Sequence, residues 1–122
     1  MREERGHIAG DVRIKEAYTL WGSIAGNVAA GKGSKFYLRG AIYGDLNVES
    51  GGRVHVLGNI SGNVNVHPKT KVILGGTVGG DVINHGGRLY IEATCNILGK
   101  VHTPEEGGGE TKVEPGARAT LV

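Results

Sequence analysis

The sequence predicts an all-β fold, a single-stranded parallel β-helix (solenoid) of about six coils with ~18 residues in each. Three observations predict it. First, one unit returns at a fixed step. Gly22-Ser23-Ile24-Ala25-Gly26-Asn27-Val28 is followed by Gly40-Ala41-Ile42-Tyr43-Gly44-Asp45-Leu46, Gly58-Asn59-Ile60-Ser61-Gly62-Asn63-Val64 and Gly76-Thr77-Val78-Gly79-Gly80-Asp81-Val82, at 18-residue intervals. A fixed period of this size marks a solenoid, whose repeats bury an apolar face only by stacking on their neighbours. Second, apolar residues alternate within the unit. Val54, Val56, Ile60, Val64 and Val66 hold even positions, and His55, Asn59, Ser61, Asn63 and Asn65 hold odd ones, which is the period of a half-buried strand. Third, the 23 glycines among 122 residues stand far above the ordinary share of about 7%. They fall in register with the repeat, where they make tight corners and penalise a helix.

The elements follow in chain order. One domain spans residues 1–122. Residues 1–5 form a charged tail or cap (Met1-Arg2-Glu3-Glu4-Arg5), and 6–101 carry the repeats, opening on Gly6-His7-Ile8-Ala9-Gly10-Asp11-Val12 and closing on Cys95-Asn96-Ile97-Leu98-Gly99-Lys100-Val101. Each coil reads as three short strands, expected in the third coil near 42–48, 54–56 and 58–60. Thr103–Gly109 is a glycine-rich loop excursion, and 110–122 is a final strand segment. Coils stacked at the spacing of paired strands give a rod roughly 30 Å long.

Handedness rests on a second period. Ile24, Phe36, Ile42, Val48, Val54, Ile60, Val66, Val72 and Val78 lie on a six-residue grid interrupted by Ala30, the pattern of left-handed hexapeptide helices. Val56, Leu74 and Ile91 fall where such a coil places a solvent-facing turn. The right-handed, three-sided solenoid is therefore the preferred reading, with the left-handed one as its alternative.

Composition narrows function. The 14 basic and 12 acidic residues nearly balance, so net charge gives no reason to expect specific nucleic-acid binding. A single cysteine excludes an internal disulfide framework and suits a reducing compartment. There is no apolar leader at the N-terminus and no apolar run of spanning length, so a cytoplasmic protein is expected.

Equivalent positions should stack into columns. Asp11, Asn27, Asp45, Asn63 and Asp81 form one, expected to be a structural ladder in which Asn amides donate to the carboxylates on either side. Lys35, Arg53, Lys71 and Arg88 form a basic column. Arg118 is its expected next member, because Val113–Leu121 matches Val48–Val56. Two residues further on, Tyr37, His55, Ile73 and Tyr90 form an outward column. Basic and aromatic groups side by side suit an anionic polymer, a glycan, an acidic protein or a membrane surface, so Lys35, Tyr37, Arg53, His55, Lys71, Arg88 and Tyr90 are the candidate interaction face. The bland reading is a solvated sheet face.

The histidines His7, His55, His67, His85 and His102 lack the convergent carboxylates or thiols of a metal centre, so neither a metal nor a cofactor is expected. Cys95 stands where the other repeats have glycine and is expected to point inward as a small apolar group. No catalytic residues are assigned. The chain stops on Ala119, Thr120, Leu121 and Val122 without a polar cap. An apolar strand edge templates pairing with another copy, so Ala119, Leu121 and Val122 are the candidate assembly end.

The Gly-x-Ile/Val-x-Gly-Asp/Asn-Val-x-Val unit, over residues 6–101, resembles that of the bactofilins, bacterial cytoskeletal proteins. The resemblance implies a right-handed triangular β-helix that polymerises through its ends without a nucleotide and serves as a scaffold. It carries no catalytic residues to transfer. Met1–Gly6 is too charged to be the membrane-targeting segment that bactofilins often carry, and the 103–109 excursion is untypical of them. The sequence is thus read as a non-enzymatic, self-assembling structural protein. A binding module using the basic face is the alternative, and a hexapeptide-type transferase a more remote one.

Overall fold

The computed structural model describes residues 2–104 and 108–122. Among them every regular element is a strand, and the strands pair in parallel in a solenoid of about 6 turns at ~18-residue spacing. Each regular coil supplies three strands, as in Arg53–Val56, Asn59–Ile60 and Val64–Val66. The expected strand over 42–48 is two strands, Ala41–Ile42 and Leu46–Val48. The Gly44-Asp45 corner turns the chain between them, because Asp45 spends its backbone N–H on a side chain of the coil before.

One face of the coil is a 7-stranded sheet running from Arg2–Glu4 to Glu110–Val113. The other two faces join in a 12-stranded sheet. They join because Asn96–His102 runs through the corner and pairs with both Thr77–Val78 and Val82–Asn84.

The core is built from columns of like residues. Ile24, Ile42, Ile60 and Val78 stand in register and are all buried, as are Val28, Leu46, Val64, Val82 and Val101. Val56, Leu74 and Ile91, the residues that argue against a hexapeptide coil, are fully buried in one further column. Full burial of each aliphatic side chain stabilises by roughly 1.5–3 kcal/mol, and the column holds only while its neighbours are in place.

Two polar devices hold the corners. Asp11, Asn27, Asp45, Asn63 and Asp81 do stack, but the bonding differs from the expected amide-to-carboxylate chain. Each side chain accepts the backbone N–H of the ladder residue one coil later. Oδ1 of Asp45 accepts from Asn63 at 2.7 Å, and Oδ1 of Asn63 accepts from Asp81 at 2.8 Å. The turn amide has no strand partner and needs an acceptor, and Asp and Asn both present one. The backbone N–H of Lys100 donates the last such bond, to Asp81 Oδ1 at 2.8 Å. The second device is the buried Asn84. Its amide donates to Thr111 Oγ1 at 2.9 Å and to the carbonyl of Gly87 at 3.1 Å, while its Oδ1 accepts from the backbone of Gly87 at 2.8 Å. It fastens a shortened corner to the strand that resumes after the loop.

Of the two readings of residues 1–5, the described residues take the form of a cap: Arg2–Glu4 is a strand of the first coil, paired with Tyr18–Leu20, while Met1 lies outside the described residues. Segment 110–122 is two strands, Glu110–Val113 and Arg118–Leu121. Of the 103–109 excursion, residues 105–107 lie outside the described residues.

Candidate functional site

The basic column forms as expected over four coils. Lys35, Arg53, Lys71 and Arg88 are register partners in turn, and all are exposed. The next member is Glu110, not Arg118. Arg118 pairs with Asn96 on another face. The match of Val113–Leu121 to Val48–Val56 fails because Val113 is the partner of Ile91 and closes a first-face strand. Tyr37, His55, Ile73 and Tyr90 stack beside the column, half-buried.

The two columns border two cavities that share Arg53 and Lys71 in their linings. One, of about 230 Å³, lies against Lys35, Tyr37, Arg53, His55 and Ile73. The other, of about 390 Å³, lies over the corner between Arg53, Lys69, Lys71 and Arg88, floored by glycines. Lys69 is absent from the sequence reading. Its signal is the corner His67-Pro68-Lys69-Thr70: Lys69 stands where the two coils before have Gly33 and Gly51, and it takes their left-handed backbone with φ 63°.

The surrounding carboxylates have other partners. Glu49 is bound by Arg13 at 2.6 Å, Glu110 by Lys112 at 3.1 Å, and Glu92 by His55 at 3.2 Å. The hydrogen bond from Arg13 is the main reason that the Glu49 carboxyl sits below its usual range. Among the described residues Arg53, Lys69, Lys71 and Arg88 are paired with no carboxylate. Lysines and neighbouring rings already contact the aromatic column. The Tyr37 and His55 rings are tilted by 50° at 6.1 Å, Lys35 Nζ lies 5.9 Å from the Tyr37 centroid, and Lys112 Nζ lies 6.0 Å from that of Tyr90.

The other singled-out side chains lie apart. His67 and His85 stack on adjacent coils with centroids 4.9 Å apart. His102 pairs with Asp81 at 3.5 Å, and His7 shares a hydrogen bond with Ser23 at 2.6 Å. The backbone N–H of Lys100, ahead of His102, holds the Asp81 carboxyl low. No group of three or more His, Cys, Asp or Glu converges among the described residues. Cys95 is buried as expected, and its backbone N–H donates to the carbonyl of Glu92 at 2.9 Å. Burial, with Glu92 adding to it, pushes its thiol up to about 11.

The ends are unlike each other. At the N-terminal end Arg2 and Glu4 occupy the columns that hold Phe36 and Leu38 two coils later, so charge covers part of that face. Arg2 lies over the Tyr18 ring at 5.7 Å. At the C-terminal end the column positions are Val113, Ala119 and Leu121. Ala119 packs on the core, while Val113, Leu121 and Val122 are 38%, 47% and 60% exposed. The strands there pair on one side only.

The described residues contain no helix long and apolar enough to cross a membrane. Comparison with protein-family models, curated proteins and solved structures finds no match for the chain.

Proposed function

We propose that this protein is a non-enzymatic scaffold that assembles with copies of itself through the ends of its solenoid, as its resemblance to the bactofilins implies, and that it works in the bacterial cytoplasm. The carrying observation is the C-terminal edge. Among the described residues Arg118–Leu121 pairs on one side only, beside Leu121 and Val122, which are exposed. An edge of this kind is satisfied by pairing with another strand, and a second copy supplies one that matches by symmetry. The charged N-terminal strand makes that end the poorer partner, so two copies meeting at their C-terminal ends are the favoured first contact.

The test is sedimentation and electron microscopy of the purified protein beside Leu121→Glu. The native chain should pass from monomers to pairs as concentration rises, and the variant should remain a monomer with an unchanged circular dichroism spectrum. A native protein that stays a single monomeric species at all concentrations removes this reading.

A further inference from the structure

We infer that the corner trough bounded by Arg53, Lys69, Lys71 and Arg88 is a binding site for an oligophosphate, a ligand carrying several phosphate groups within a short length. Three observations carry it, and none of them concerns the solenoid ends.

The first is concentrated positive charge. Three register partners, Arg53, Lys71 and Arg88, together with Lys69 line one cavity of about 390 Å³ that no acidic residue lines among the described residues. Strand neighbours lie about 4.8 Å apart, and like charges directly opposite destabilise a sheet. Yet this column sets four cations in succession, Lys35, Arg53, Lys71 and Arg88, before Glu110 follows as its next member. The second is strain. Non-glycine residues seldom adopt positive φ, and such strain gathers at functional sites. Lys69 takes φ 63° where the two preceding coils use glycine, and the result is a fourth cation in the trough. The third is access. Gly51, Gly86 and Gly87 line the same cavity, so no side chain of theirs keeps a ligand from the backbone.

The chemistry selects among anions. Arginine forks bind phosphate oxygens through paired hydrogen bonds, and lysines serve as point charges. Cations one coil apart ask for dense negative charge, as in linked phosphates. An acidic glycan carries fewer charges over the same length. A single-stranded nucleic acid would need open aromatic faces for its bases, and lysines stand over those of Tyr37 and Tyr90. The phosphates can belong to a soluble chain or to clustered lipid headgroups, and the experiment separates the two.

Tripolyphosphate is titrated into the protein by calorimetry at low salt. Affinity should fall at least tenfold in Arg53→Ala/Arg88→Ala and about fivefold in Lys69→Gly, and should weaken as salt rises. Lys69→Gly gives the left-handed corner the residue that suits it, so its melting temperature should not drop; lost binding then cannot be lost folding. Arg13→Ala, a cation outside the trough, should bind like the native chain. Phosphatidylglycerol vesicles, with phosphatidylcholine vesicles as control, form the second arm. Co-sedimentation that tripolyphosphate competes away assigns the phosphates to a lipid surface, and tripolyphosphate binding without co-sedimentation assigns them to a soluble ligand. Absent tripolyphosphate binding, equal binding by the double variant, or preference for polygalacturonate or a single-stranded oligonucleotide overturns the inference. Assembly through the ends stands or falls separately, by the behaviour of Leu121→Glu.

Discussion

At Gly58 a side chain has nowhere to go. A Cβ built there falls on the backbone carbonyl of Gly40, and the same relation joins Gly40 to Gly22 and Gly76 to Gly58. None of these three glycines has positive φ, so close approach of successive coils, not a special turn, fixes the residue type. Backbone cannot swing aside as the end of a lysine does. Gly58→Ala should therefore cost at least the ~1–3 kcal/mol of an overpacked core, read as a lower urea midpoint. Gly6→Ala is the control, since no atom stands near its Cβ position, and it should unfold with the native midpoint. Equal midpoints for the two variants would mean that the stack relaxes around an added methyl. The spacing of these glycines is legible in the sequence, but their reason is not: a list of residues shows that something recurs, and only the stacked backbone shows what it avoids.

At the scale of the element, the first strand works as a stop. Arg2–Glu4 continues the sheet by one more register, so it satisfies the backbone edge of Ala17–Leu20. It does so while setting Arg2 and Glu4 in columns otherwise held by Tyr18 and Phe36, and by Leu20 and Leu38. Trp21 lies nearby, its Nε1 donating to Glu3 at 3.2 Å and its ring 4.9 Å from the guanidinium carbons of both Arg5 and Arg39. Charges on an edge strand oppose its pairing with a further strand. Arg2→Leu/Glu4→Leu should remove that opposition and let the N-terminal ends join, shifting the sedimentation profile from pairs toward longer assemblies. An unchanged profile would show that these charges do not govern the end. The sequence leaves Met1–Arg5 as either tail or cap, because a charged segment shows no apolar alternation from which a strand can be read. The opposite error occurs at Arg118. There the local match to Val48–Val56 is good, but the chain has drifted in register: the ladder step is 16 residues at Asp11–Asn27, 18 at Asp45–Asn63 and 19 at Asp81–Lys100. Motif likeness identifies a column only while the period holds. Lys69 escapes a sequence reading for a different reason, since its positive φ belongs to the corner and not to the residue.

The whole molecule is a one-dimensional stack, in which each coil is held by the coil before and the coil after. In such a stack stability adds along the axis, and the ends open before the middle. Hydrogen exchange should record this gradient. Amides of Arg53–Val56 and Val64–Val66, which have strand partners on both sides, should exchange slowest. Those of His7–Ala9 and Arg118–Leu121, each paired on one side only, should exchange fastest in dilute protein. Concentration then separates the ends. If copies meet through the C-terminal edge, raising the protein concentration slows exchange at Arg118–Leu121 and leaves His7–Ala9 fast, since only one of the two edges has gained a partner. Equal slowing at both ends would point to head-to-tail stacking, in which every contact uses one end of each kind. Exchange that ignores concentration at both ends would leave the apolar edge without a copy to cover it, and the scaffold reading would have lost the contact on which it depends.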